Sequence, residues 1–384
     1  MDKEMKTQNT KSNSTDIVAE TRKTTTIRRR IAPGVLTAMM FALLAIAGAR
    51  SSIGAGGPTA PHLACSPVAY ASSSVCQGQM TLTYYDSARG DLPVFLTPFY
   101  GFVFTDGRAT LKGYLYLPGH STVADSPRNL PLIVFNHGSD RSGGEQCEMA
   151  TYFTDKGFAF FVPHRRGHGL STGVYYTDFL DQVCHRTDQN PFGTCGRVVN
   201  NSLLLDYLQD QTFEVAQAIS YLSSLTNSSH HLIINPNKVA IMGHSFGGMV
   251  TLFNNNLLIN HRAAVDIAGA SESWDYFDAD DGNNTPDESA SIETLKAAVR
   301  GANKPIFFFE PKNDVSLRPT VVLSKVAGDH SERYQAAIYG PVPPDPGERS
   351  IDPTHAHGKF VTDPDEIQKW GPAVVEFLSR FGVK

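Results

Sequence analysis

The chain has 384 residues, 41% hydrophobic and 18% charged, which is enough for one large domain with appendages and too apolar for a disordered chain. The formal net charge is −5, but residues 1–30 carry eight Lys/Arg against four Asp/Glu, so the rest of the chain is acidic at −9. An acidic body without basic runs excludes nucleic acid as an expected partner.

The N-terminal stretch is polar and basic, and ends in Arg28-Arg29-Arg30. An apolar run, Val35–Gly48, and the small residues Ala47-Gly48-Ala49 follow. Basic, apolar, small is the order of an export signal, and the run is short for a membrane span of roughly 20 residues. Residues 1–49 are therefore expected to direct export, with cleavage near Ala49; the alternative is an uncleaved signal anchor tethering the protein to a membrane through Val35–Gly48. Residues 50–78, rich in Ala, Ser, Gly and Pro, read as a linker, and residues 79–384 as the folded domain. All five cysteines lie beyond the apolar run. Cys65/Cys76 and Cys184/Cys195 are each close enough in sequence to close a small disulfide loop in an oxidising compartment, which leaves Cys147 over as a buried helix residue. No Cys/His spacing reads as a zinc site.

The domain opens with two predicted strands, Met80–Tyr85 and Thr110–Leu117, as an antiparallel entry to a sheet. Short continuous apolar runs follow at Leu132–Phe135, Ala159–Val162, Val239–Met242, Ala263–Ile267, Ile306–Phe309 and Ala336–Tyr339. Such runs fit strands of a parallel sheet covered on both faces. Helical patterns lie between and after them, at Glu145–Lys156, Thr212–Leu225, Phe246–Leu258, Ile292–Gly301 and Asp365–Phe381. The alternation predicts a doubly wound, mostly parallel α/β sheet. Thr172–Asn201 is the longest irregular stretch, long enough for a flap over a site but not for a domain. The segment between Asp266 and Lys304 is too short for a large cap domain.

Sites in such folds lie at the carboxyl ends of the strands. Strand Val239–Met242 runs into Gly243-His244-Ser245-Phe246-Gly247-Gly248 and then directly into a helix, the context of a G-x-S-x-G nucleophile elbow. A second match, Gly169-Leu170-Ser171-Thr172-Gly173, has a polar loop before it and no helix after it, and reads as a decoy. Strand Leu132–Phe135 ends in Asn136-His137-Gly138-Ser139; here the backbone N–H of Ser139, with that of Phe246, is positioned to form an oxyanion hole. His164 and His168, in Pro163-His164-Arg165-Arg166-Gly167-His168, have no carboxylate at ligand spacing, so this loop reads as scaffolding for the site rim. A nucleophilic serine needs a histidine base and a carboxylate behind it. Asp314 follows strand Ile306–Phe309, and His357 follows the last strand, in the order Ser, Asp, His. Glu310 is the lesser carboxylate candidate, His330 lies at the wrong edge, and His355 is the rival base. In an extended loop, residues two apart face opposite ways, and Gly358 lets the chain turn beside His357, so His357 is preferred.

From about Thr110 to Lys384 the chain resembles dienelactone-hydrolase-like members of the α/β-hydrolase superfamily. The resemblance rests on the GYLYLP entry strand, the HGS loop, the RGHGLS loop, the GHSFGG elbow, the KND loop and the HG pair near the end. His164 stands where relatives often carry an acidic residue, and Ala-His-Gly-Lys where they carry Gly-His-Gly-Phe. The resemblance implies a serine esterase acting through Ser245, Asp314 and His357 on a small-molecule or polymeric ester, with no cofactor or metal. The rival expectations are a prolyl-oligopeptidase-like peptidase, for which residues 50–109 are too few to form a propeller, and a non-catalytic binding protein of the same fold.

Overall fold

The computed structural model describes residues 80–87, 111–118, 127–257, 260–278, 289–328 and 332–384. The chain divides into two units, Met1–His62 and Leu63–Lys384, and every described residue belongs to the second. The expected export segment, the linker, a Cys65–Cys76 loop and His330 lie outside the described residues.

Eight strands form one sheet: β1 (Met80–Ser87), β2 (Leu111–Pro118), β3 (Leu130–Asn136), β4 (Ala159–His164), β5 (Ile234–His244), β6 (Ala263–Ile267), β7 (Ile306–Pro311) and β8 (Tyr334–Tyr339). Their order is β1-β2-β4-β3-β5-β6-β7-β8. The β1–β2 and β2–β4 pairs are antiparallel, and every pair from β4 onward through β3 to β8 is parallel. The central strands are mostly apolar because both faces are covered, with Asp266 of β6 and Glu310 of β7 buried among them. Leu132 and Val134 of β3 join one core and Ile133 and Phe135 the other, as a two-residue period requires.

Nine helices are described. On one face lie α1 (Cys147–Asp155), α8 (Pro353–Thr362) and α9 (Pro364–Arg380), which bury Phe153, Phe360 and Trp370. On the other lie α3 (Gly196–Leu222), α4 (Phe246–Asn256), α6 (Ala290–Gly301) and α7 (Arg318–Ala327), which bury Leu208, Val250, Leu295 and Leu323. The remaining two, α2 (Tyr176–Cys184) and α5 (Trp274–Asp278), lie in connections after β4 and β6. No large cap occurs among the described residues. Neither does any helix long and apolar enough to cross a membrane.

Three expectations need correction. Thr172–Asn201 is not irregular: it contains α2 and the start of α3, a helix of 27 residues that begins well before Thr212. Cys184 and Cys195 do pair, closing the turn between these two helices. Cys147 is not left over, since it too is disulfide-bonded. Finally, His355–Gly358 is not a loop but part of α8, whose start is set by Asp352 accepting a hydrogen bond from Thr354 N–H (2.9 Å) and by Pro353 in the first turn.

Candidate active site

The elbow is built on glycine. A Cβ at Gly243 would lie 2.1 Å from the Gly247 carbonyl oxygen, and one at Gly247 would lie 2.0 Å from that of Asn136. One at Gly248 would meet Asp266 Oδ1 at 2.3 Å. Only hydrogen fits at these three positions, which lets α4 start hard against the ends of β3, β5 and β6. Ser245 itself takes φ 55° and ψ −121°, a strained conformation for a residue with a Cβ. Its N–H donates to the Ile267 carbonyl (2.9 Å), which locks the turn to β6.

His357 comes to the elbow from α8. Its Nδ1 lies 2.9 and 3.0 Å from the two oxygens of Asp314, and both residues are buried. Asp314 is held in turn by the Ser271 hydroxyl (2.5 Å) and the Val315 N–H (2.7 Å), both of which donate to Oδ1. The paired Nδ1 leaves Nε2 as the free ring nitrogen; it is buried and has no hydrogen-bond partner among the described residues. The His357 ring packs on that of His244, the residue before Ser245, with centroids 4.2 Å apart. Asp314 and His357 are thus paired beside His244, the residue that precedes Ser245.

The rivals fall away from this cluster. His355 is half-exposed and sits 3.8 Å from Asp345. Two residues apart on a helix turn through about 200°, so His355 faces away from His357 for a helical reason, not the extended-loop reason, and no turn at Gly358 is involved. Glu310 is buried at the end of β7, and burial together with the Asp314 charge raises its carboxyl to about 9. Ser171 is buried, donating to the His164 carbonyl (2.5 Å) and accepting from Lys112 N–H (2.8 Å), so it ties the loop after β4 to β2.

The loop after β3 lies against the elbow: a Cβ on Gly138 would be 3.7 Å from that of Ser245. Ser139 is next along this loop, and Phe246 opens α4, where the first N–H groups of a helix have no intrahelical partner. The Tyr176 ring of α2 packs on that of Phe246 with centroids 4.7 Å apart, which brings the segment expected as a flap to the site.

The histidines of this region are not arranged as ligands. His164 uses both ring nitrogens, accepting from Leu170 N–H (2.9 Å) at Nδ1 and bonding the Gly144 carbonyl (3.1 Å) through Nε2. His137 and His168 are buried beside it, and burial first, then the Arg165 charge, holds both well below the usual imidazole range. Elsewhere Asp345, Glu348 and His355 converge at the surface, but Lys359 already donates to Asp345 (2.6 Å). Four residues had drawn no role from the sequence: Ser271, which holds Asp314, His244, which packs on His357, and Arg165 and Tyr175, treated below. Ser271 carries no sequence signal, whereas Arg165 lies in the loop flagged as scaffolding.

The strand order, the parallel run from β4 to β8, the strained serine between β5 and α4, and the Asp and His after β7 and β8 together make this an α/β-hydrolase fold. No family model matches the chain, and no curated protein matches it. Among solved structures it is similar to the acylaminoacyl peptidase of Pyrococcus horikoshii, at 15% identity and a TM-score of 0.49, over 79% of this chain and 42% of that one. The chain thus spans less than half the length of that peptidase. It is also similar to Est1E from Butyrivibrio proteoclasticus, solved with ferulic acid bound, at 16% identity and a TM-score of 0.44, over 73% and 98% of the two chains. A third likeness is the Pyrococcus furiosus esterase Pf2001, at 12% identity and a TM-score of 0.44, over 71% and 87%. At such identities a likeness says nothing of substrate.

Proposed function

We propose that the protein is a serine hydrolase that cleaves carboxylic esters through an acyl-enzyme on Ser245. The supporting observation is the buried His357, paired with Asp314 through Nδ1, its Nε2 unpartnered, and its ring packed on the residue before a strained serine. In this reading Ser245 Oγ attacks the ester carbonyl while His357 Nε2 takes its proton. The Ser139 and Phe246 N–H groups receive the oxyanion, and Asp314 holds the imidazolium that forms. The imidazolium then protonates the departing alcohol, and water, activated by the same nitrogen, releases the acid. The substrate in this reading is a carboxylic ester, either a small molecule or a polymer. The same reading takes residues 1–49 as an export signal or anchor, and the Cys184–Cys195 bond fits an oxidising compartment.

The test is labelling by a fluorescent phosphonate, run beside a series of p-nitrophenyl esters of increasing acyl length and a set of peptide anilides. Wild type and Ser171→Ala are expected to label and turn over esters, and Ser245→Ala to do neither. Loss of a nucleophile costs about 10⁶ in rate in a well-studied serine protease. Equal loss in both variants would overturn the elbow, and turnover of anilides without esters would overturn the ester reading.

A further inference from the structure

Arg165 stands one residue beyond β4 and is 1% exposed, yet makes no ion pair among the described residues. Its neighbour Arg166 takes the nearby carboxylate, Glu214, at 2.8 Å. Burying a guanidinium without a counter-ion is costly unless its donors are used well. They are. Nε donates to Gln211 Oε1 of α3 (2.8 Å), Nη1 to the His137 carbonyl (2.8 Å) and Nη2 to the Gly138 carbonyl (3.0 Å). Tyr175 O–H donates to the next carbonyl, that of Ser139. The Tyr175 ring is itself fixed, with the Arg141 guanidinium 4.1 Å from its centroid and the His168 ring 4.8 Å away. The loop after β4 thus grips three consecutive carbonyls of the loop that carries the expected oxyanion donor.

Peptide geometry turns that grip into an orientation. In a trans peptide the C=O and the following N–H point opposite ways, and no described peptide bond is cis. With the Gly138 carbonyl drawn to Arg165, the Ser139 N–H must point away from Arg165. We propose that Arg165 and Tyr175 are positioning residues of the oxyanion hole: by holding the carbonyls of His137, Gly138 and Ser139, they aim the Ser139 N–H at the oxyanion that forms on attack by Ser245. The fork of a guanidinium spans two successive carbonyls, which a lysine ammonium cannot do with the same geometry. The inference rests on the hydrolase reading above.

The experiment compares wild type, Arg165→Lys and Tyr175→Phe for kcat, KM, Tm and affinity for an alkyl trifluoromethyl ketone, whose hemiketal oxyanion mimics the intermediate. An oxyanion donor removed outright costs roughly 10²–10³ in kcat, and a misaimed one is expected to cost about 10–10². Arg165→Lys should lose that much in kcat with KM changed less than about twofold, and ketone affinity should fall by the same factor as kcat/KM. Tyr175→Phe should lose about tenfold in the same pattern, with Tm close to wild type. A merely structural role would lower Tm and leave kcat and ketone affinity of the folded fraction unchanged, and that result overturns the proposal. Should Arg165→Lys not fold, Tyr175→Phe decides alone, and an unchanged kcat overturns it. Wild type that neither turns over esters nor labels with phosphonate fails the hydrolase reading instead, so the two failures are distinct.

Discussion

Two histidines separated by one alanine have opposite environments here, and their environments predict opposite phenotypes. His357 is 5% exposed at its side chain and bonded to Asp314; His355 is 50% exposed at its side chain, near Asp345. With His357→Ala, kcat on any ester the protein turns over is expected to fall by roughly 10³–10⁶, the range of a lost base in a Ser-His-Asp triad. With His355→Ala, kcat should stay within about twofold, because surface substitutions shift energies by about 0.5 kcal/mol. Steady-state kinetics on one p-nitrophenyl ester checks the pair; a dead His355→Ala beside an active His357→Ala would move the base. Both histidines were legible as candidates, but the wrong local structure carried the choice between them. Asp352-Pro353, a capping residue followed by a first-turn proline, was a readable helix start.

At the scale of elements, the first half of α3 was hidden in the sequence although Thr212–Leu225 was read as helical, and the work of this helix bears on why. Tyr207, Gln211 and Glu214 recur at the spacing of one helical face, but that face is polar and buried. Tyr207 donates to the Val174 carbonyl (2.7 Å), Gln211 accepts from Arg165, and Glu214 accepts from Arg166. Hydrophobic periodicity is blurred in a helix that buries this polar stripe beside the apolar Leu205, Leu208, Val215 and Ile219. The Cys184–Cys195 bond then joins the end of α2 to the start of this helix across 11 residues of sequence. A loop of that size gains roughly 3 kcal/mol from restricting the unfolded chain. Replacing both cysteines by alanine should therefore lower Tm by several degrees, read by calorimetry. An unchanged Tm would mean that α2 opens independently of global unfolding.

Across the whole molecule, buried ionisable groups set a pH window for stability. Burial raises Asp266 and Asp210 to about 7, and burial with the Asp314 charge raises Glu310 to about 9. These carboxyls hold protons more tightly folded than unfolded, so their contribution is complete below about pH 4 and is lost as pH rises through 7 and 9. His137, His168 and His244 run the other way. Burial lowers all three, so their contribution is present above 6.5 and is lost as pH falls below it. Above pH 6.5, of these groups only the carboxyls act, and Tm is expected to decline from pH 7 to about 9.5. Glu310→Gln keeps the volume but cannot ionise, and it should flatten the decline above about pH 8. A variant profile parallel to wild type would show that Glu310 ionises in its ordinary range.

The sequence by itself determined the succession of strands along the chain, the helices α1, α4, α6 and α9, and the residues at the ends of β3, β5 and β7, because continuous apolar runs, glycine spacing and chain order are local signals. It also offered Cys184–Cys195, 11 residues apart, as one of two candidate disulfide pairs. Only the tertiary structure decided which histidine turns inward, that Ser171 is a buried strut, and that Ser271 holds Asp314. It alone revealed that Arg165, with no carboxylate of its own, reaches the carbonyls of a loop 27 and 28 residues earlier in the chain. These assignments depend on where side chains from distant segments meet, and a hydrogen bond between two such segments leaves no period and no spacing in either one.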